Sequence, residues 1–93
     1  MNAQQQSREI SVRILVTGRV QGVGFRQSAR RRAHQLGLQT TAINREDGSV
    51  LLETTGPSDI VEQLIAWAHN GPELARVDDV TVINCNRYIR NIA

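Results

Sequence analysis

Gly18-Arg19-Val20-Gln21-Gly22-Val23-Gly24-Phe25-Arg26 is the stretch at which the sequence changes its period. Before it, Ile10, Val12, Ile14 and Val16 alternate with Ser11, Arg13, Leu15 and Thr17, the two-residue period of a strand with one buried face. After it, Phe25, Ala29, Ala33 and Leu36 recur at helical spacing, and Gly37 supplies a helix C-cap. A glycine-rich turn between strand and helix can aim several backbone N–H groups at one point, because glycine accepts positive φ and has no side chain to block an approaching group. The start of the helix adds the positive end of its dipole. Arg26 adds a planar fork of donors matched to a phosphoryl or carboxylate group. Local sequence thus predicts a small anion site, with Gly18 to Gly24 as the turn.

Outward from this stretch the pattern continues. Thr40 to Asn44 is a short second strand, and Asp47-Gly48 is a hairpin turn signal. Val50, Leu52 and Thr54 alternate with Leu51, Glu53 and Thr55 in a third strand. Gly56-Pro57 opens a second helix with proline in its first turn, Val61, Leu64, Ile65 and Ala68 form its apolar stripe, and Asn70-Gly71-Pro72 ends it. Val77, Val80 and Val82 announce a fourth strand. The order β-α-β-β-α-β predicts an α+β fold, the ferredoxin-like plait: a four-stranded antiparallel sheet with both helices on one face. In that arrangement the first and second strands run the same way with the third between them. Their C-terminal ends share one edge of the sheet, which brings Asn44 to the glycine loop.

With 93 residues the chain is expected to be one domain with one modest core. Residues 9–93 are assigned to it, residues 1–8 with Gln4-Gln5-Gln6 to a flexible polar tail, and residues 87–93 to no element. Phe25, Trp67 and Tyr88 are the whole aromatic supply, too few for a sheet that binds RNA by stacking. All eleven basic residues are arginine, which excludes a lysine Schiff base or a lysine phosphate clamp. The net charge of +2 is too mild to signal nucleic-acid binding. Cys85 has no disulfide partner, and His34 and His69 stand alone without metal-ligand spacing, so neither metal nor cofactor is expected. No apolar run is long enough for a membrane span and residues 1–8 lack an apolar secretory core, so the expected setting is the cytoplasm and the expected state a monomer.

Several residues have a plain structural reading. Phe25 is expected in the core, beneath the loop. Trp67 is expected in the core or at the edge of the second helix. Arg30, Arg31 and Arg32 read as a solvated helix face. Asp47 and Gly48 read as turn residues, and Asn44, taken locally, could be a residue capping that same turn.

The stretch from Gly18 to Arg26 resembles the first signature of the acylphosphatase family, and Asn44-Arg45-Glu46-Asp47-Gly48-Ser49-Val50 resembles the second. Leu64 to Trp67, Gly71-Pro72 and Ala75-Arg76-Val77 are similar to later parts of that family, so the resemblance runs over roughly residues 10–84. Two departures stand beside the second signature. Thr40-Thr41-Ala42 replaces the family's usual Gly-Trp-Val, and Arg45 stands where many relatives carry an uncharged residue. The resemblance implies metal-independent hydrolysis of the carboxyl–phosphate bond of acyl phosphates, giving carboxylate and inorganic phosphate. It assigns phosphoryl binding to the backbone of Val20, Gln21, Gly22, Val23, Gly24 and Phe25 together with Arg26, and it assigns the attacking water to Asn44. The implied partners are a small acyl phosphate and inorganic phosphate, with no nucleic acid and no membrane. A module of the same fold that binds phosphate or carboxylate without hydrolysing it is the alternative.

Overall fold

A computed structural model describes residues 8–85; the expected tail over residues 1–8, apart from Arg8, and the path of residues 87–93 lie outside the described residues. The elements are β1 (Glu9–Arg19), α1 (Phe25–Gln35), β2 (Gln39–Asn44), β3 (Val50–Pro57), α2 (Ser58–Ala68) and β4 (Arg76–Asn84). The four strands form one sheet in the order β2-β3-β1-β4, with every neighbouring pair antiparallel. This is the ferredoxin-like plait expected from the order of elements.

Alternation decides which face each residue takes. Val12, Ile14 and Val16 of β1 are buried, as are Val50, Leu52 and Thr54 of β3 and Ala42 of β2. They lie in matched cross-strand rows: Ala42 opposite Leu52 and Leu52 opposite Ile14, then Asn44 opposite Val50 and Val50 opposite Val16. The helices cover this face with Phe25, Ala29 and Ala33 from α1 and Val61, Leu64 and Ala68 from α2. Small residues on α1 let the helix lie close over β2, where the Arg30 guanidinium donates to the carbonyl of Ala42 at 3.1 Å. Arg30 therefore does more than face solvent. Ala42, at the altered position before Asn44, is fully at home in the core, so the departure from the family pattern leaves the strand intact.

Helix α1 ends in a Schellman arrangement: Gly37 N–H donates to the carbonyl of His34 at 3.0 Å and Leu38 N–H to that of Ala33 at 2.8 Å. Leu38 then drops into the core against Gly56. Strand boundaries differ from the sequence reading at two places. β3 runs on through Pro57, which pairs with Glu9 and serves as the N-cap of α2, so the helix begins at Ser58 rather than with proline in its first turn. β1 runs on through Gly18 and Arg19, paired with Val77 and Arg76 across a register shift after Thr17. A Cβ on Gly18 would stand 2.2 Å from the carbonyl oxygen of Arg76 and 2.7 Å from the amide nitrogen of Asp78. Gly18 belongs to the strand crossing and not to the turn, since its bareness lets β4 pass.

No helix among the described residues is long and apolar enough to cross a membrane.

Candidate active site

The site lies at the end of the sheet where β1 delivers the loop and β2 ends. Val20 anchors the near side of the loop, its side chain fully buried. Phe25 anchors the far side, equally buried, with its ring 5.3 Å from that of Trp67 at a tilt of 51°. Gly71, at the end of α2, lies so close to the Phe25 ring that a Cβ there would stand 2.7 Å from it. Phe25 and Trp67 thus take the structural places read from the sequence, and together they make the floor on which the loop rests.

Between the anchors, Gly22 and Gly24 hold the left-handed conformation, φ 76° and 80°. Gly24 is the N-cap of α1 in that conformation and supplies the carbonyl for the first helical bond, from Ser28 N–H at 3.0 Å. No side chain caps the helix and no acidic residue stands in its first turn. The leading N–H groups and the positive dipole end are therefore left to an outside anion. Arg26 is exposed in this turn. The one ion pair between described residues joins Arg13 and Glu53, so no carboxylate of the described residues neutralises the Arg26 guanidinium.

Asn44 has the same strand parity as Ala42, so its side chain leaves the sheet on the face that α1 covers. It ends β2 opposite Val50, and the turn that follows is tightly held. Arg45 N–H donates to the carbonyl of Ser49 at 2.8 Å, and Gly48 N–H to that of Arg45 at 3.1 Å. Asp47 accepts from the Ser49 N–H at 2.9 Å and from its hydroxyl at 2.6 Å. Those two bonds, with the nearby Arg45 charge, hold the Asp47 carboxyl below its ordinary value of 3.8. Asp47 and Gly48 are turn residues as expected. Asn44 is not the residue that caps the turn; Asp47 is.

One pocket of about 150 Å³ is lined by Val20, Gly22, Gly24, Phe25, Arg26, Gln27 and Asn44. It gathers six of the eight residues that the sequence placed at the site. The other two, Gln21 and Val23, were placed there by their backbone, and their side chains go elsewhere: Val23 packs on the core, and the Gln21 side chain reaches the turn after β2. Gln27 is the residue the sequence reading missed. Its place directly after Arg26 in the first turn of α1 was the available signal. The pocket joins a cationic, amide-rich wall to two carboxamides, those of Gln27 and Asn44, which suits holding a tetrahedral anion with a polar group beside it.

Known proteins are similar to this chain in sequence and in fold. The sequence model of the acylphosphatase family matches residues 12–91. An acylphosphatase of Salinibacter ruber is 52% identical over 75 residues, covering 81% of this chain and 77% of its own. One of Trichormus variabilis is 49% identical over 81 residues, covering 87% and 80%. Among solved structures, an acylphosphatase from Coxiella burnetii superposes with a TM-score of 0.79 at 33% identity, covering 90% of this chain and 87% of that one. The acylphosphatase from Bacillus subtilis gives 0.78 at 35% identity, covering 81% and 83%. With both signatures in place on the matching fold, the chain belongs to the acylphosphatase family, and its activity is that of an acylphosphatase.

Proposed function

We propose that hydrolysis runs by in-line attack of a water held by Asn44 on a phosphoryl group cradled by the loop amides and Arg26. The observation that carries this reading is the single pocket shared by Gly22, Gly24, Arg26 and Asn44, residues that two distant segments of the chain supply. Water attacks phosphorus as the bond from phosphorus to the acyl oxygen breaks. The electron pair leaves with the carboxylate, and the proton of the water passes to a phosphoryl oxygen of the substrate. A carboxylate is a good leaving group, so no strong general acid is required. What remains is to align the water and to stabilise charge on the equatorial oxygens. Backbone N–H groups and a guanidinium do the second task, and a carboxamide, which is a poor base but a good hydrogen-bonding partner, does the first.

The experiment is hydrolysis of benzoyl phosphate by the pure protein in the presence of a chelator, with inorganic phosphate as competitive inhibitor. Arg26→Ala should lose phosphate affinity and turnover together, with kcat down about 10²–10³-fold, the usual loss for one charge-stabilising donor. Asn44→Ala should keep the inhibition constant of phosphate and lose turnover. Full activity in Asn44→Ala overturns the water-holding role. Phosphate binding without hydrolysis by the wild type would leave only a binding module.

Within the same reading the protein is one domain over residues 9–93, a cytoplasmic monomer that binds neither nucleic acid nor membrane. The sheet supports the nucleic-acid part. Among the described residues its open face carries no aromatic ring, since Phe25 is buried and Trp67 packs on it from α2.

A further inference from the structure

We infer that the Gln21 side chain is a positioning residue that locks Asn44 in register with the phosphate cradle. The inference rests on the water-holding role proposed for Asn44. Gln21 Nε2 donates to the carbonyl of Arg45 at 2.7 Å and to that of Ser49 at 2.8 Å. A carboxamide nitrogen has two N–H groups, and both are used, each on one of the carbonyls that close the turn after β2. Gln21 itself sits in the loop, between the buried Val20 and the left-handed Gly22. The bond to Arg45 falls one residue beyond Asn44.

The sheet sets Asn44 in register with Val16, through Val50, but does not reach the loop. Pairing between β1 and β3 stops at Val16 opposite Val50, and from there β1 continues along β4 alone. Beyond that point no backbone hydrogen bond among the described residues joins the loop at 20–24 to the turn at 45–49. The Gln21 carboxamide is the polar link that carries the registration of the sheet out to the site. Loop glycines fix the cradle locally, so loss of the link should leave the cradle able to bind while the Asn44 side chain loses its place relative to the bound group. A misplacement of this kind, on the scale of an ångström, lowers turnover more than ground-state affinity.

Gln21→Met keeps length and removes both donors. Gln21→Glu keeps shape and presents a carboxylate with no donor while ionised. In both, kcat for benzoyl phosphate is expected to fall about 10²-fold. The inhibition constant of inorganic phosphate should stay within about threefold of wild type, as for a residue acting only on the transition state. As pH is lowered through the carboxyl range, Gln21→Glu gains one O–H donor and should recover kcat relative to Gln21→Met. Unfolding midpoints are measured on the same samples, and the assays are run well below them. Unchanged kcat in Gln21→Met beside an inactive Asn44→Ala overturns this inference alone. Phosphate affinity falling in step with kcat, with no recovery of the Glu variant in acid, also overturns it, showing Gln21 as a mere support of the cradle. An active Asn44→Ala overturns the underlying reading instead.

Discussion

Gly18 and Gly24 belong to one sequence signature, yet alanine at the two positions should fail in different ways. At Gly24 an added Cβ meets nothing within 4 Å, so space is no obstacle and the penalty is conformational. Holding an L-residue in the left-handed region costs about 1–2 kcal/mol. The Gly24→Ala chain can relieve that strain by turning its φ negative, which re-aims the first amides of α1 away from the pocket. At Gly18, with φ 124°, the added Cβ falls more than an ångström inside ordinary contact with the Arg76 carbonyl oxygen and also clashes with the Asp78 amide nitrogen. Neither neighbour is a flexible side chain, so β4 must part from β1 where Gly18 pairs with Val77 and Arg19 with Arg76. Backbone strain of about 1–3 kcal/mol joins the loss of ladder bonds at about 0.5–1.5 kcal/mol each, giving roughly 3–5 kcal/mol. For a domain of this size that lowers the melting temperature by roughly ten degrees or more. Urea unfolding and phosphate inhibition constants, measured side by side, separate the two. Gly18→Ala should show the large stability loss and, where still folded, near-normal phosphate binding. Gly24→Ala should lose little stability and bind phosphate about tenfold more weakly, as when one charge-assisted hydrogen bond is lost. A wild-type unfolding midpoint for Gly18→Ala would refute the strand-crossing role.

Phe25→Ala removes the floor of the loop; with the ring buried against Trp67 and Gly71, a loss of about 3–5 kcal/mol in stability is expected from urea unfolding. Phe25→Leu, which keeps most of the apolar volume, should lose clearly less. Acid should loosen the turn after β2, because the depressed Asp47 pKa means that its stabilising contribution is complete above 3.8, the unfolded value, and is lost as pH falls through the lower folded one. Wild-type stability should therefore fall in that window more steeply than that of Asp47→Ala; equal acid dependence would show that the bonds to Ser49 do not matter.

The order of elements, the core rows and the loop were legible because each rests on local period. Val12, Ile14 and Val16 alternate, Ala29 and Ala33 fall one helical turn apart, and Asp47-Gly48 marks the hairpin. Topology then carried Asn44 to the loop without any contact being known. What escaped the sequence was decided by partners far along the chain. Gly18 looks like the first glycine of the turn until β4 lies across it. Gln21 looks like one more loop residue until its two N–H groups meet the carbonyls of Arg45 and Ser49. Pro57 looks like a first-turn proline until Glu9 pairs with it. Period-based reading sees which face a residue takes and not which backbone atom of another segment it will meet.

The two helices show how the fold leaves room for its chemistry. Helix α2 has Asp59 in its first turn, and the Ile60 N–H donates to that carboxylate at 2.9 Å. Neither helix start has a side-chain cap, but α1 also has no acid in its first turn, although such a charge is worth about 0.3–1 kcal/mol to a helix start. At its other end α1 is well finished, with Arg32 and His34 in the last turn and the Schellman bonds through Gly37 and Leu38. A helix built carefully at one end and left open at the other is not poorly specified. An acid in its first turn would occupy the amides and pair with Arg26, and the phosphoryl group would have to displace it. The open start gives up a little stability in the free protein and returns it when an anion binds.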